Sequence, residues 1–332
     1  MNRYGGSALA ATVGLTVLVG LVAWQGHAPL LRALAAGGTE LFWLPLWFLL
    51  VVALTALSWQ WLLPPGHGLG LPAAGYLSMI GYGVNWLLPV AMVGGEAARA
   101  HLLIRRGHPD AEAVASVVAD KTVQVATQAV FALLGLLLAL GADARLIAGL
   151  VAGIVALVAA LLAFYAVQRR GGFSAGTRAL SRLLGTDRGQ RLRVRGEAVE
   201  VALQHIYDRR ARLGVAFGFR LAARLVWAGE VMIALTLLGH PVGLAAALVI
   251  ESLTQAARGA GFLIPGGLGA QEGGLILVGV AVGVPVEVCM ALAVVKRGRE
   301  LAIGLPGLLF WQIEEARHLR RRAINDAGGD GR

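Results

Sequence analysis

Apolar residues in this chain run for whole membrane thicknesses instead of alternating or forming narrow stripes. Predominantly apolar stretches at 7–24, 41–63, 111–140, 145–167, 213–238 and 286–313 each hold 18 or more residues. At 1.5 Å per helical residue, such stretches cross a hydrocarbon layer of roughly 30 Å. The pattern predicts six full spans. The first lies close behind Arg3 in the manner of a signal peptide, but no convincing small-residue cleavage site follows, so it is read as an uncleaved helix. Two further apolar stretches are interrupted, 74–107 at Pro89 and Gly94-Gly95, and 244–284 at Pro265-Gly266-Gly267-Leu268-Gly269. Broken backbone is tolerated at membrane depth only where protein buries it or it lines a wet cavity. Both stretches are therefore predicted to be helical hairpins, either re-entrant or made of two short crossings. The expected fold is an all-α polytopic membrane protein forming a single membrane domain over 1–332.

Composition agrees: 57% of the 332 residues are hydrophobic and 14% are charged, against roughly 25% charged in soluble domains. The net charge of +10 matters less than its placement. Residues 169–212 hold eleven arginines against Asp187, Glu197, Glu200 and Asp208. An arginine-rich segment between spans reads as a cytoplasmic connector that also suits anionic headgroups. No aromatic or glycine-rich recognition motif accompanies it, so no nucleic-acid partner is expected. If each hairpin returns to its own side, this connector, Arg99, Arg105, Arg106 and the tail from Arg317 all share one face. Both termini are then cytoplasmic.

Laying Pro89 on Pro265 also aligns Glu96 with Glu272, Pro109 with Pro285, Asp120-Lys121 with Lys296-Arg297, and Gln124 with Glu300. The span 41–63 falls on 217–239. These coincidences predict an internal duplication with units at 41–140 and 217–313. Three full crossings separate the starts of the two units, so the second copy is expected inverted, its hairpin entering from the opposite side.

Charged side chains at membrane depth cost on the order of 2.5–3.5 kcal/mol each and should face a cavity or one another. Asp120, Gln124 and Gln128 repeat every four residues along one face of the 111–140 span, as do Arg220 and Arg224 in the next unit, with Glu230 beyond them. Glu251, Gln255 and Arg258 form another stripe, and Lys296, Arg297, Arg299 and Glu300 crowd the last span. Lys121 and Lys296 are the only lysines. Because lysine releases a proton on burial more readily than arginine, they are candidates for proton coupling, with structural ion pairs to Asp120 and Glu300 as the plainer reading.

The glycine-rich breaks carry the sharper expectation. A break followed by a half-helix presents unpaired N–H groups and a positive dipole end inside the membrane, which suits a phosphate or carboxylate. The candidate substrate-binding residues are Gly94, Gly95, Glu96, Arg99, Asp120, Lys121, Arg258, Pro265, Gly266, Gly267, Gly269, Glu272, Lys296, Arg297 and Glu300. The alternative is that the glycines allow tight helix packing and the glutamates cap the helices that follow.

No nucleophile elbow, zincin helix or P-loop is present, and Gly267-Leu268-Gly269 lacks the strand a dinucleotide site needs. No catalytic residue, cofactor or metal site is expected. The seven histidines are scattered, Cys289 suits a small packing position, and Trp43, Trp47, Trp59, Trp61 and Trp311 suit interfacial belts.

Gly94-Gly95-Glu96-Ala97-Ala98-Arg99, Asp120-Lys121 and the run from Ile264 through Pro265-Gly266-Gly267-Leu268-Gly269 to Glu272 resemble the membrane region of lysylphosphatidylglycerol synthases and the stand-alone flippase-like proteins related to it. The resemblance covers nearly the whole chain and is nearest to membrane proteins associated with bacterial hopanoid biosynthesis. It implies a lipid-translocating fold in the inner membrane, with membrane lipids of anionic or polar headgroup as partners. The separate aminoacyl-transfer domain of bifunctional relatives has no counterpart in the short basic tail. The expected function is a non-enzymatic lipid transporter. A membrane-embedded enzyme acting on lipid headgroups or isoprenoid lipids, and a non-catalytic partner of lipid-biosynthesis proteins, are the alternatives.

Overall fold

The computed structural model describes residues 37–66, 68–88, 94–139, 186–260 and 269–329, with isolated helical positions at 35 and between 151 and 175. Regular structure in the described residues is helical throughout. A 3-10 turn (Gly38–Trp43) leads into α1 (Leu44–Leu62), followed by α2 (Leu71–Leu87), α3 (Gly94–Arg105) and α4 (Asp110–Leu138). Beyond these come α5 (Thr186–Asp208), α6 (Arg210–Leu237), α7 (Leu244–Ala260), α8 (Ala270–Ala281) and α9 (Val286–Gly329). Gly38–Leu62 and Asp110–Leu138 are long and apolar enough to cross a membrane by length and composition. The expected span 7–24 lies outside the described residues, and 145–167 is described only at scattered helical positions. α6 and α9 fall where spans are predicted, but both carry buried charge, including Arg220, Arg224, Glu230, Lys296 and Arg299.

Local chemistry sets the helix limits. Pro45 and Pro72 occupy the first turns of α1 and α2, where a fixed φ helps and a missing N–H costs nothing. Pro109 precedes α4, whose first turn carries Asp110 and Glu112 against the positive dipole end. α3 is closed by Gly107 at φ +90°, with the Gly107 N–H donating to the Ile104 carbonyl and the His108 N–H to Leu103. This is the Schellman closure, which favours glycine because its backbone is left-handed. The same closure recurs at the aligned position of the second half: Gly283 has φ +89° and donates to Val280, while Val284 donates to Gly279. That register also carries both ends of α3 onto both ends of α8, and the start of α4 onto the start of α9.

Each broken stretch folds back on itself. Asn85 of α2 meets Gly95 of α3 near the bend. At the open end, Tyr76 of α2 bonds Glu314 of α9, and Arg105 of α3 bonds Glu315 and the Glu314 carbonyl. The two legs thus return to one end of the molecule. α7 and α8 return to the other end, where Ala247, Val278 and Val284 join Leu235 and Leu238 of α6 and Cys289 of α9 in one apolar cluster. At 12 residues, α3 and α8 are only about 18 Å long.

Helix directions follow from paired contacts. α1 runs against α6, since Trp47 donates to Val226, Ser58 to Ala216, and Arg212 to Leu63. α2 runs against α9, with Gly83 beside Gly304 and Tyr76 beside Phe310. α7 packs on α4 just as α2 packs on α9.

The basic connector contains α5, and the last turns of that helix are apolar and docked. Val199, Leu203, Ile206 and Tyr207 pack on Ala115, Ala119 and Val123 of α4 and on Leu62 of α1. The tryptophan expectation divides. Trp43 and Trp61 are exposed, but Trp59 is fully buried, donates to the Ser116 hydroxyl and stacks on Arg99. Trp59 belongs to the interior because the Ser116 hydroxyl accepts its indole N–H there and Arg99 packs over its ring face.

Candidate functional site

The buried charges collect into clusters built from two or more helices each. In the first, Asp120 of α4 accepts from Arg99 of α3 at 2.8 Å and from Arg220 of α6. One carboxylate therefore serves two guanidinium groups. Beside it, Lys121 pairs with Glu96 at 2.8 Å, and Glu96 also accepts from the Asn85 amide. The Asn85 carbonyl oxygen in turn accepts the Gly95 N–H, capping α3. One helical turn further along, Arg224 donates to Gln128, to the Thr127 hydroxyl and to the Gln124 carbonyl. The four-residue spacing seen on α4 thus meets the four-residue spacing of Arg220 and Arg224 on α6.

The second cluster gathers the candidates of the other half. Glu300 of α9 accepts from Arg258 of α7 at 2.7 Å and from Arg297 at 2.6 Å, and Arg258 also bonds Gln271 of α8. Arg297 pairs with Glu272, whose other oxygen accepts the Gly269 N–H and so caps the start of α8. Lys296 pairs with Glu251, which also holds Gln255. The expected lysine partners are therefore corrected: Lys121 and Lys296 take Glu96 and Glu251, while Asp120 and Glu300 are neutralised by arginines.

Pro265, Gly266 and Gly267 lie outside the described residues. Gly94 opens α3. At Gly95 an added Cβ would collide with the Gly81 carbonyl, so this glycine permits a close crossing of α2 and α3. The N–H groups of Gly95 and Gly269 are occupied by Asn85 and Glu272, so neither amide is left for a ligand in this arrangement. Sequence reasoning overlooked Asn85 as a capping residue and left Arg220 out of the candidate site. An amide inside an apolar helix and an arginine four residues from another were the available signals.

A cavity of about 40 Å³ opens at the first cluster, lined by Ser78, Tyr82, Asn85, Glu96, Arg99, Gln124 and Arg220 among others. Residues of the second hairpin do not line it. Since a water needs about 10–15 Å³ measured this way, the cavity accommodates a few waters and no headgroup. Several buried donors around it lack a hydrogen-bond partner among the described residues: Arg99 Nε and Nη2, Arg220 Nε and Ser78 Oγ. In the second half the positions aligned with Tyr82, Gly95 and Gln124 hold Arg258, Gln271 and Glu300, all buried and bonded through Arg258. The first half has a cavity where the second brings its own side chains together.

The family comparison agrees with this architecture. The model for the lysylphosphatidylglycerol synthase TM region matches residues 11–307. The chain belongs to that family. It is accordingly a multi-pass integral membrane protein. No curated protein matches it.

A third cluster is buried between helices. Arg299 of α9 is 1% exposed, donates to Glu230 of α6 at 3.0 Å, and lies 4.2 Å from the Phe48 ring centre and about 5 Å from those of Trp86 and Trp227. A desolvated cation over aromatic faces gains about 2 kcal/mol or more. Arg299 so ties α1, α2, α6 and α9 together at one point.

Proposed function

We propose that this protein is a non-enzymatic lipid transporter of flippase type in the bacterial inner membrane, with both termini cytoplasmic. Its substrate is a membrane lipid whose polar or anionic headgroup engages the first cluster, in the setting of hopanoid or anionic lipid metabolism and its biosynthetic proteins. The carrying observation is the set of buried donors on Arg99, Arg220 and Ser78 that have no partner among the described residues, around a polar cavity. Unsatisfied buried donors are costly, and a headgroup oxyanion would offset that cost. Glu96, Asp120, Lys121 and the glycines Gly94 and Gly95 shape this site. Arg258, Glu272, Lys296, Arg297 and Glu300, with Gly269 at the α8 cap, form the matching half that moves against it.

Matching helix ends, matching Schellman closures and the equivalent pairs Glu96–Lys121 and Glu272–Arg297 support reading the two halves as an inverted repeat. In this arrangement the cavity is too small for a headgroup, so transport requires α2 and α3 to part from α4 and α6. Alternating motion of the two halves supplies that opening.

Reconstitution of the purified protein into liposomes tests the proposal. A panel of anionic, polyprenyl and hopanoid lipids is followed for leaflet by a quenching assay and for chemical change by mass spectrometry. Transport of at least one lipid without chemical change is expected, slowed at least tenfold by Ser78→Leu, which fills the cavity and removes no ion pair. Covalent conversion would support an enzyme instead, and inactivity towards every lipid by folded protein would favour a non-catalytic partner.

A further inference from the structure

α5 holds a surface that the cavity does not use. Its charge is divided along its length: Arg188, Arg191, Arg193 and Arg195 oppose only Asp187 in the first half, while Glu197, Glu200 and Asp208 fall in the second. Four arginines near a helix N-terminus add to a dipole that is already positive there. Such a distribution favours anions outside the helix. Arg191 and Arg195 are exposed, and neither has an ion pair among the described residues.

Packing fixes where α5 is anchored. Tyr207 donates to Thr122, about three turns into α4, and Val199, Leu203 and Ile206 join the cluster that holds Ala111, Val114, Ala115, Ala119 and Val123 of that helix. The apolar last turns of α5 are therefore docked on the first half of α4. Asp208 at the end of α5 adjoins α6, whose Arg212 bonds the Trp61 and Leu63 carbonyls at the end of α1. With α4 crossing the hydrocarbon, its start marks the boundary beside which α5 is held. Val194 and Val201 are 61% and 52% exposed. Exposed apolar residues interleaved with arginines fit a helix lying against lipid, with its cations at phosphate level.

We infer that the first half of α5 is a docking surface for the anionic lipids of the adjoining leaflet, with Arg191 and Arg195 contacting their phosphates. This surface is distinct from the proposed headgroup cavity, and it recruits lipid whether or not the protein transports it. A basic residue near an anionic membrane changes lipid preference by on the order of fivefold.

The test uses the full chain with Cys289→Ala, carrying a fluorescent label at Val194→Cys, in nanodiscs of one part phosphatidylglycerol to two parts phosphatidylcholine. Bromine is placed on one lipid or the other, and quenching is compared at equal content of brominated lipid. We expect quenching several-fold stronger when phosphatidylglycerol carries the bromine. Raised salt should weaken that preference, and the Arg191→Gln, Arg195→Gln variant should bring the two lipids close to parity. Equal quenching by the two lipids in the unsubstituted protein overturns the inference. So does a label that neither lipid quenches and aqueous iodide does, the result expected if a soluble acidic partner occupies this surface.

Discussion

At the scale of single residues, Asp120 has the largest consequences. It is 2% exposed and is the shared counterion of Arg99 and Arg220. Breaking a buried pair from one side costs about 3–5 kcal/mol because the other charge stays buried. Asp120→Asn strands two cations at once. Its thermal unfolding midpoint in detergent should fall further than that of Glu96→Gln, which removes the carboxylate of one cation only, Lys121, itself 28% exposed. A smaller drop for Asp120→Asn than for Glu96→Gln would show that Asp120 does not hold the cluster together. Arg299 gives a second prediction. Arg299→Met leaves the buried Glu230 carboxylate without its cation, so the double variant with Glu230→Met should be more stable than Arg299→Met alone, by about 1–3 kcal/mol in chemical unfolding. The four-residue spacing of Asp120, Gln124 and Gln128 was legible in the chain, and so was that of Arg220 and Arg224. Their pairing was not, because it joins positions far apart in the chain through tertiary packing. The lysine partners were misassigned for the same reason: sequence adjacency suggested Asp120 and Glu300, while the geometry of neighbouring helices selected Glu96 and Glu251.

At the scale of elements, the interrupted stretches were the most readable part of the chain. Gly94 marked the start of α3 and Gly269 the cap of α8, and Pro109 and Pro285 marked the turns before α4 and α9. Connector helix α5 was less visible because its arginines masked an apolar face that has a partner only after α4 is in place. The two Schellman closures yield a prediction of this scale. Gly107 and Gly283 have nothing within 4 Å of an added Cβ, so alanine there tests backbone strain without a clash. A left-handed residue other than glycine costs about 1–2 kcal/mol. Gly107→Ala and Gly283→Ala should each lower stability by about that amount and leave lipid transport per folded molecule unchanged. Wild-type stability at either position would mean that its turn relaxes into another conformation.

At the scale of the whole molecule, helices that coincide in the proposed repeat register run in opposite directions. α1 opposes α6, its counterpart in the repeat register. For the later helices the directions form a chain of contacts: Asp120 with Arg220 and Gln128 with Arg224 set α4 parallel to α6, and Tyr82 against Thr55 with Trp86 against Phe48 sets α2 against α1. α2 is thus parallel to α4, and because α2 opposes α9, α4 opposes α9 as well. A duplicated unit inserted in reverse produces this relation and a direct tandem copy does not. Asp110 and Val286 are the first residues of α4 and α9, both exposed, and they coincide in the repeat register. The consequence is measurable in intact cells. On a Cys289→Ala background, and with the arginine-rich end of the molecule cytoplasmic as proposed, Asp110→Cys should react with a membrane-impermeant thiol reagent only after the membrane is permeabilised. Val286→Cys should react from the opposite side without permeabilisation. Reaction of both from one side would mean that α4 and α9 begin in the same compartment, and a mechanism based on two hairpins entering from opposite faces would fail with it.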